Sequence, residues 1–219
     1  LHDALPICKP TGESYSTISV QSKPTDRPPA QHADLNVKMR QWTSTSGTKG
    51  LVDINGPTDA KAPKLNTLFT DDRVPSFVQN YKVGSWDWNC NCKSGWISDY
   101  PVTLSGLGTT PGEKLEVPDS DYDIGGGNDV MVLFADSNSI TLKYTREDNV
   151  VKGYTVHVVG VCVDPNLKSK YNQAHSAGRG HLPVLRGNQA FGRARGGEVK
   201  VSIRDTGRFM DPRSRKDWW

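Results

Sequence analysis

The chain of 219 residues has a formal net charge of +3, a mean hydropathy of −0.59 and 35% hydrophobic residues. This length accommodates one large all-β domain or two smaller ones, and no apolar run is long enough to span a bilayer. Residues 1–7 (LHDALPI) match one reading frame of a widely used sequencing adapter. We therefore exclude them from fold reasoning, together with Cys8 at the junction, and expect the native N-terminus to be missing.

Basic residues are concentrated toward the end of the chain. From residue 179 onward there are ten lysines and arginines against four acidic residues. Such a segment suits an anionic polymer, for example a wall glycopolymer or nucleic acid. Because the acidic residues are interspersed among the basic ones, the pattern favours a solvated charged surface, and we do not expect nucleic acid to be a partner.

The first half of the chain predicts an arm, a loop and a few strands. Residues 9–33 are rich in Pro, Ser and Thr and indicate a linker or extended arm. Residues 34–42 (DLNVKMRQW) alternate apolar and polar side chains, which is typical of a half-buried strand. Frequent Gly and Pro predict a long loop over 44–76. Strands are predicted at 76–88 (SFVQNYKVGSWDW) and 100–108 (YPVTLSGLG).

The second half predicts an antiparallel β domain with one short helix. Strands are predicted in DVMVLFAD, NSITLKYT, GYTVHVVGVCV, LPVLRGNQAFG and GGEVKVSIRDTG. The segment DPNLKSKYNQAHSAG predicts the helix, with Asp164 as its cap and Gly178 at its end. The predicted fold class is all-β, with an arm (1–33), a smaller strand-rich module (34–113) and a larger β domain (114–219).

Four motifs follow one another over residues 115–219, namely DSDYDIGGGNDVMVLFAD, GYTVHV, LRGNQAFGRA and GGEVKVSIRDTGRFMDPR. In this order they resemble the H-x-G-x-D-I segment, the strand after the glycine turn, the turn before the final strands and the closing H-x-H strand of one peptidase family. That family is the lysostaphin-like (LytM-type, duplicated-hybrid-motif) zinc endopeptidases of bacterial cell walls. The resemblance implies an antiparallel β fold, in which the family holds zinc with two histidines and an aspartate.

Most zinc-site positions of this family are occupied here by other residue types. The first histidine falls on Asp119 and the aspartate on Asp123. The H-x-H pair falls on Glu198 and Lys200, and a further histidine falls on Gln173. A lysine ammonium has no lone pair to offer a metal. The resemblance thus implies a degenerate site without metal, cofactor or catalytic residues, whose binding groove is formed by Asp119, Asp123, Gln173, Glu198, Lys200 and Ser202. We predict that Asp123, Glu198 and Lys200 converge there, with Lys200 within reach of a carboxylate.

The cysteines indicate one disulfide if the protein is exported. With Cys8 set aside, the expected bridge joins Cys162 to Cys90 or Cys92, whereas in a cytosolic protein all three would be buried thiols. Around the same turn, the segment GSWDWNCNCKSGW contains three tryptophans whose exposed faces would suit sugar rings. Packing in the core or at a corner is the favoured alternative for these residues, which are Trp86, Trp88 and Trp96.

These patterns favour a non-catalytic binding or structural module of the cell envelope or extracellular space, facing a cell-wall glycan or peptide. Two alternatives stay open. One is an active zinc metallopeptidase that cleaves peptidoglycan peptides and draws ligands from His157, His175 or His181. The other is a self-assembling surface protein. For each of the three histidines, a surface or hydrogen-bonded structural role is favoured over metal binding.

Overall fold

The computed structural model describes residues 8–219, and the adapter interpretation of residues 1–7 lies outside that range. The chain forms antiparallel β structure with one long helix, which confirms the predicted all-β fold class. The α-helices are α1 (Pro165–Ser176) and the single-turn α2 (Arg215–Trp218), and short 3-10 helices cover Pro29–Gln31, Val37–Arg40 and Leu65–Leu68. The strands are β1 (Ser16–Ser19), β2 (Trp42–Thr45), β3 (Phe77–Asp87), β4 (Cys92–Trp96), β5 (Leu104–Gly108), β6 (Lys114–Glu116), β7 (Val130–Ala135), β8 (Ser139–Lys143), β9 (Tyr154–Val159), β10 (Val161–Val163), β11 (His181–Leu185), β12 (Ala190–Ala194), β13 (Glu198–Asp205) and β14 (Arg208–Phe209).

One large sheet organises the molecule. Its strands follow the order β1-β11-β7-β8-β9-β13-β5-β3-β2, with β14 paired to β13 and β4 paired to β3. A second sheet has the order β10-β12-β6. Strand β13 lies between β9 and β5, which belong to different predicted modules. The predicted boundary at 113/114 therefore does not separate two sheets.

Apolar burial explains why β13 lies at the centre of the sheet. Its apolar side chains are fully buried, and Val201 and Ile203 lie opposite Val158 and Val156 of β9. Each such side chain removed from water contributes roughly 1.5 to 3 kcal/mol. Since side chains alternate along a strand, the same register turns Glu198, Lys200, Ser202 and Arg204 toward the opposite face.

Helix α1 begins where the sequence predicts it. The Asp164 carboxylate accepts hydrogen bonds from the backbone N–H groups of Asn166 (2.8 Å) and Leu167 (3.4 Å). Pro165 occupies the first turn, where a missing N–H has no cost. The other carboxylate oxygen of Asp164 accepts from the backbone N–H of Thr11 at 2.6 Å, so the cap also holds the N-terminal arm.

Of the two roles predicted for residues 9–33, linker or extended arm, the structure shows an arm that is part of the fold. Its strand β1 pairs with β11 at one edge of the large sheet.

The four cysteines form two disulfides. Cys8 forms a disulfide with Cys162, with 5.1 Å between their Cα atoms, and Cys90 forms one with Cys92. The predicted bridge from Cys162 to Cys90 or Cys92 is therefore wrong, because setting Cys8 aside removed the actual partner. Cys90 and Cys92 are exposed, whereas Cys162 is buried in strand β10.

The strand predicted over residues 34–42 is also wrong. Val37–Arg40 form a 3-10 helix, and β2 begins only at Trp42. The Asn36 side chain accepts a hydrogen bond from the backbone N–H of Lys38, which offers the chain a turn instead of a strand. The apolar alternation nevertheless marks real burial, since Leu35 and Val37 are both buried.

We expect Cys8→Ser to lower the free energy of unfolding by about 2 to 4 kcal/mol, because the bridge closes a loop of 154 residues and restricts the unfolded chain. Urea denaturation with and without the substitution measures this. The control is Cys90→Ser/Cys92→Ser, which opens a loop of only two residues and should cost much less. Equal losses in both variants would contradict the role of the long loop.

Candidate functional site

Glu198 and Lys200 form the ion pair that the sequence predicts. The Lys200 ammonium donates to Glu198 Oε2 at 2.8 Å, and Tyr81 Oη donates to Glu198 Oε1 at 2.9 Å. Lys200 Nζ also lies 5.2 Å from the Tyr81 ring centroid. Burial and the hydrogen bond to Glu198 raise the pKa of Tyr81 to about 12, so this phenol stays a donor at neutral pH. The two opposite charges therefore compensate each other.

The other predicted groove residues lie elsewhere. Asp123 is in the exposed loop before β7, where its carboxylate accepts from the backbone N–H groups of Gly125 (2.7 Å) and Gly127 (3.2 Å). The strand register places it about three strands from Lys200 and at the opposite strand ends, on the order of 20 Å away. The predicted convergence of Asp123 with Glu198 and Lys200 is therefore not formed.

Asp119 and Gln173 do not join the ion pair either. Asp119 lies close to Gly187 and Asp129, and burial together with the Asp129 charge raises the pKa of its carboxyl group. Gln173 lies on helix α1 and contacts Ser169 on the same helix. The predicted groove is thus divided among three separate places in the fold.

Ser202 lies on the polar face of β13, together with Glu198, Lys200 and Arg204, but this part of the face is fully buried. It sits directly opposite His157 of β9. Thr141 donates its hydroxyl proton to the backbone carbonyl of Leu35 (2.6 Å), so the Nδ1–H of His157 donates to the Thr141 oxygen (2.9 Å). Within residues 8–219, His157 Nε2 and Ser202 Oγ have no hydrogen-bond partner. His157 therefore has the hydrogen-bonded structural role that the sequence favours.

Residues 34–40, which we call the covering segment, lie over this polar face. The carboxylate of Asp34 binds the segment to the face. Asp34 Oδ1 accepts from Arg40 Nη2 at 2.8 Å and from Arg204 Nη1 at 2.9 Å. Burial opposes ionisation of Asp34, but its attraction to Arg204 and Arg40 outweighs burial and lowers the pKa of the carboxyl group. Burial lowers the pKa of Arg204 to about 10, although attraction to Asp34 opposes that shift. The covering segment is thereby fixed to the central strand.

The three tryptophans that the sequence offers as sugar contacts lie on a hairpin that extends from the sheet. They are Trp86, Trp88 and Trp96. The second half of β3 pairs with β4, and the Cys90–Cys92 disulfide lies where the two strands meet. Trp88 and Trp96 are each 42% exposed, so neither is packed in the core. Trp86 is half-buried and contacts the edge of Trp88, with 6.4 Å between the ring centroids. We call this element the tryptophan hairpin (residues 84–96).

Two residues of the N-terminal arm hold Trp88 in place. The His32 and Trp88 ring centroids are 5.1 Å apart, and Arg27 Cζ lies 5.3 Å from the Trp88 centroid. Trp96 is contacted from the hairpin itself, by Lys93 Nζ at 4.0 Å. Both indole rings are therefore fixed yet accessible, which lowers the entropy lost when a ligand stacks on them.

Beside Trp96 lies a cleft of about 330 Å³ that the sequence does not predict. Its walls include Arg40, Arg204 and Arg208, and we call it the arginine cleft. Phe209 packs under two of these groups, with Arg204 Cζ at 4.4 Å and Arg40 Cζ at 5.4 Å from its ring centroid. The tight turn between β13 and β14 brings Phe209 opposite Arg204. The one sequence signal for Arg204 is the alternation of apolar and polar residues along β13, which places Arg204 on the polar face.

A second cleft of about 410 Å³ combines aromatic and acidic groups. Asp59 and Asp205 line it together with Tyr154 and Trp218. Asp59 Oδ2 accepts from the phenol groups of Tyr122 (2.6 Å) and Tyr154 (3.0 Å). Nothing local in the sequence marks this cleft, because its walls come from distant parts of the chain.

Comparisons with known proteins give no relative. No family model matches the chain, and neither a curated protein nor a solved structure matches it. Across residues 8–219, no group of three or more His, Cys, Asp or Glu side chains is placed to hold a metal ion. The helices of this same range include none that is both long and apolar enough to cross a membrane.

Asp34→Asn should lower the free energy of unfolding by about 3 to 5 kcal/mol, because it leaves two buried guanidinium groups without a counter-charge. The control is Asp53→Asn, which removes an exposed partner of Arg215 and should cost less than about 1 kcal/mol. Chemical denaturation at neutral pH measures both. Similar losses would show that Asp34 does not hold the covering segment.

His157 should make the protein less stable as the pH falls below about 6.5. Burial, reinforced by Arg204 and Arg40, holds the pKa of His157 well below its usual value. The unfolded chain therefore takes up a proton that the folded chain refuses, at up to about 1.4 kcal/mol per pH unit. His157→Gln should reduce this slope between pH 6.5 and 5, whereas His181→Gln, at an exposed histidine, should retain it. Unfolding measured across this pH range decides between these outcomes.

Proposed function

We propose that this chain is a non-catalytic, extracellular glycan-binding module whose binding surface is the tryptophan hairpin. The observation that carries the proposal is the exposure of Trp88 and Trp96, 42% each, on a hairpin closed by a disulfide. Indole rings offer large flat faces against which the C–H groups of a sugar ring can pack. Tryptophan is highly buried on average, and two exposed indole rings on one hairpin form an apolar patch of the kind that marks binding surfaces.

The surroundings of the rings fit a polar ligand with many hydroxyl groups. Ser85 and Ser94 lie side by side on the hairpin, with 3.1 Å between their hydroxyl oxygens. Asn91 accepts hydrogen bonds from Arg27 and from the indole N–H of Trp86, which orders the tip. Sugar recognition needs this combination of apolar faces and fixed polar groups.

Three features support an extracellular, non-catalytic role. All four cysteines are paired in disulfides, which persist in oxidising environments. At the position of the family's H-x-H pair, the Lys200 ammonium is bound to Glu198 and has no lone pair for zinc. Ser202 and His157 lie under the covering segment and are inaccessible to a substrate.

Trp88→Ala and Trp96→Ala should each weaken binding to purified cell-wall polysaccharide by about tenfold, equivalent to about 1.4 kcal/mol. Sedimentation with insoluble polysaccharide measures the bound fraction. Val151→Ala is the matched control, because Val151 is an exposed apolar side chain (66%) in a different loop. Unchanged binding in both tryptophan variants would refute the hairpin as the binding surface.

The non-catalytic part of the proposal has its own test. Purified protein supplied with zinc should release no new amino groups from cell-wall peptides. Zinc-dependent cleavage would overturn this part and support the peptidase alternative, while leaving the hairpin measurement to be judged separately.

A further inference from the structure

We propose that the arginine cleft binds the carboxylate of an acidic sugar whose ring packs against Trp96. This inference rests on the proposed glycan-binding function and specifies its ligand class. The cleft and the tryptophan hairpin share Trp96 and Ser85, so one glycan can contact both.

The first argument is charge. Three guanidinium groups line the cleft, while two carboxylates are paired with them. Asp34 is shared by Arg40 and Arg204, and Asp99 Oδ2 accepts from Arg208 Nε at 2.9 Å. One positive charge is left uncompensated in a partly enclosed place. A single carboxylate balances it, whereas a phosphate monoester carries up to two negative charges.

The second argument is an unused donor. Arg204 is 4% exposed, and its Nε and Nη1 groups donate to the Gly207 carbonyl (2.8 Å) and to Asp34 (2.9 Å). Its Nη2 group makes no hydrogen bond to any atom of residues 8–219. The guanidinium plane is fixed on Phe209, so this donor is held ready at the cleft. Guanidinium groups match carboxylates in geometry and form their stronger hydrogen bonds with charged acceptors.

The third argument is the shape and lining of the cleft. Its volume of about 330 Å³ is at the lower end of the range for small-molecule sites and suits one sugar unit. Trp96, Ser85 and Ser98 are among the residues that line it. An apolar wall, hydroxyl partners and a fixed cation together fit a uronic or other carboxylated sugar better than a neutral one.

The test compares two probes, a trigalacturonate and its fully methyl-esterified form, by isothermal titration calorimetry. We expect the acid to bind at least about tenfold more tightly than the ester, with the difference decreasing as salt is added. Arg208→Gln should remove most of this preference. Arg215→Gln is the matched control, since its side chain is 57% exposed against 59% for Arg208 and is likewise paired with one aspartate.

Two further variants keep the proposal testable if one protein folds poorly. Asp99→Asn releases Arg208 from its partner and should strengthen binding of the acid severalfold. Arg204→Lys retains the charge but loses the forked donor, so it should weaken binding of the acid more than of the ester. Circular dichroism confirms that each variant is folded.

The outcomes separate the two proposals. Equal binding of acid and ester, lost together in Trp96→Ala, would overturn the carboxylate site and leave glycan binding in place. Equal loss in Arg208→Gln and Arg215→Gln would attribute the preference to overall charge and overturn the site. Binding of neither probe would overturn the carboxylate site, whereas the glycan-binding proposal is judged by the sedimentation measurement with cell-wall polysaccharide.

Discussion

The carboxylate of Asp34 lies between two buried guanidinium groups, and the rest of the structure depends on this contact. The central strand β13 has a polar face that is buried in this fold, and buried charges such as the Arg204 guanidinium need a partner. The segment around Asp34 and Arg40 supplies the cover, and the ion pairs fix it to Arg204. Without this contact, the polar row that includes His157 and Ser202 would be open to solvent.

Because the centre of the sheet is covered, the side chains that a ligand can reach lie at its periphery. The covered face leaves Ser202 without access, and the exposed end of the same strand is neutralised by Glu198 and Lys200. The tryptophan hairpin, by contrast, extends beyond the sheet where β3 pairs with β4. A rigid β scaffold that carries its binding groups on an edge hairpin is a common solution, because loops and hairpins tolerate variation that a packed centre does not.

The same contact also explains the arginine cleft. One carboxylate cannot neutralise two guanidinium groups, so the arrangement that closes the polar face leaves positive charge at its rim. Phe209 holds both groups in fixed orientations. A structural device and a candidate anion site thus share the same side chains, and the tryptophan hairpin adds an apolar wall beside them.

The sequence by itself determined the local features of this protein. A continuous apolar run placed β7, alternation placed β8 and β13, and the Asp164–Pro165 pair placed helix α1, because these signals act between neighbouring residues. The 3-10 helix at Val37–Arg40 was missed because the Asn36 cap overrides an alternating pattern of three apolar side chains. Only the tertiary structure decided which distant residues meet. It paired Cys162 with Cys8, separated Asp123 from Lys200 and joined Asp34 to Arg204. The order of the strands and the width of the sheet set the distances between such residues. A sequence motif gives no information about strand order or sheet width.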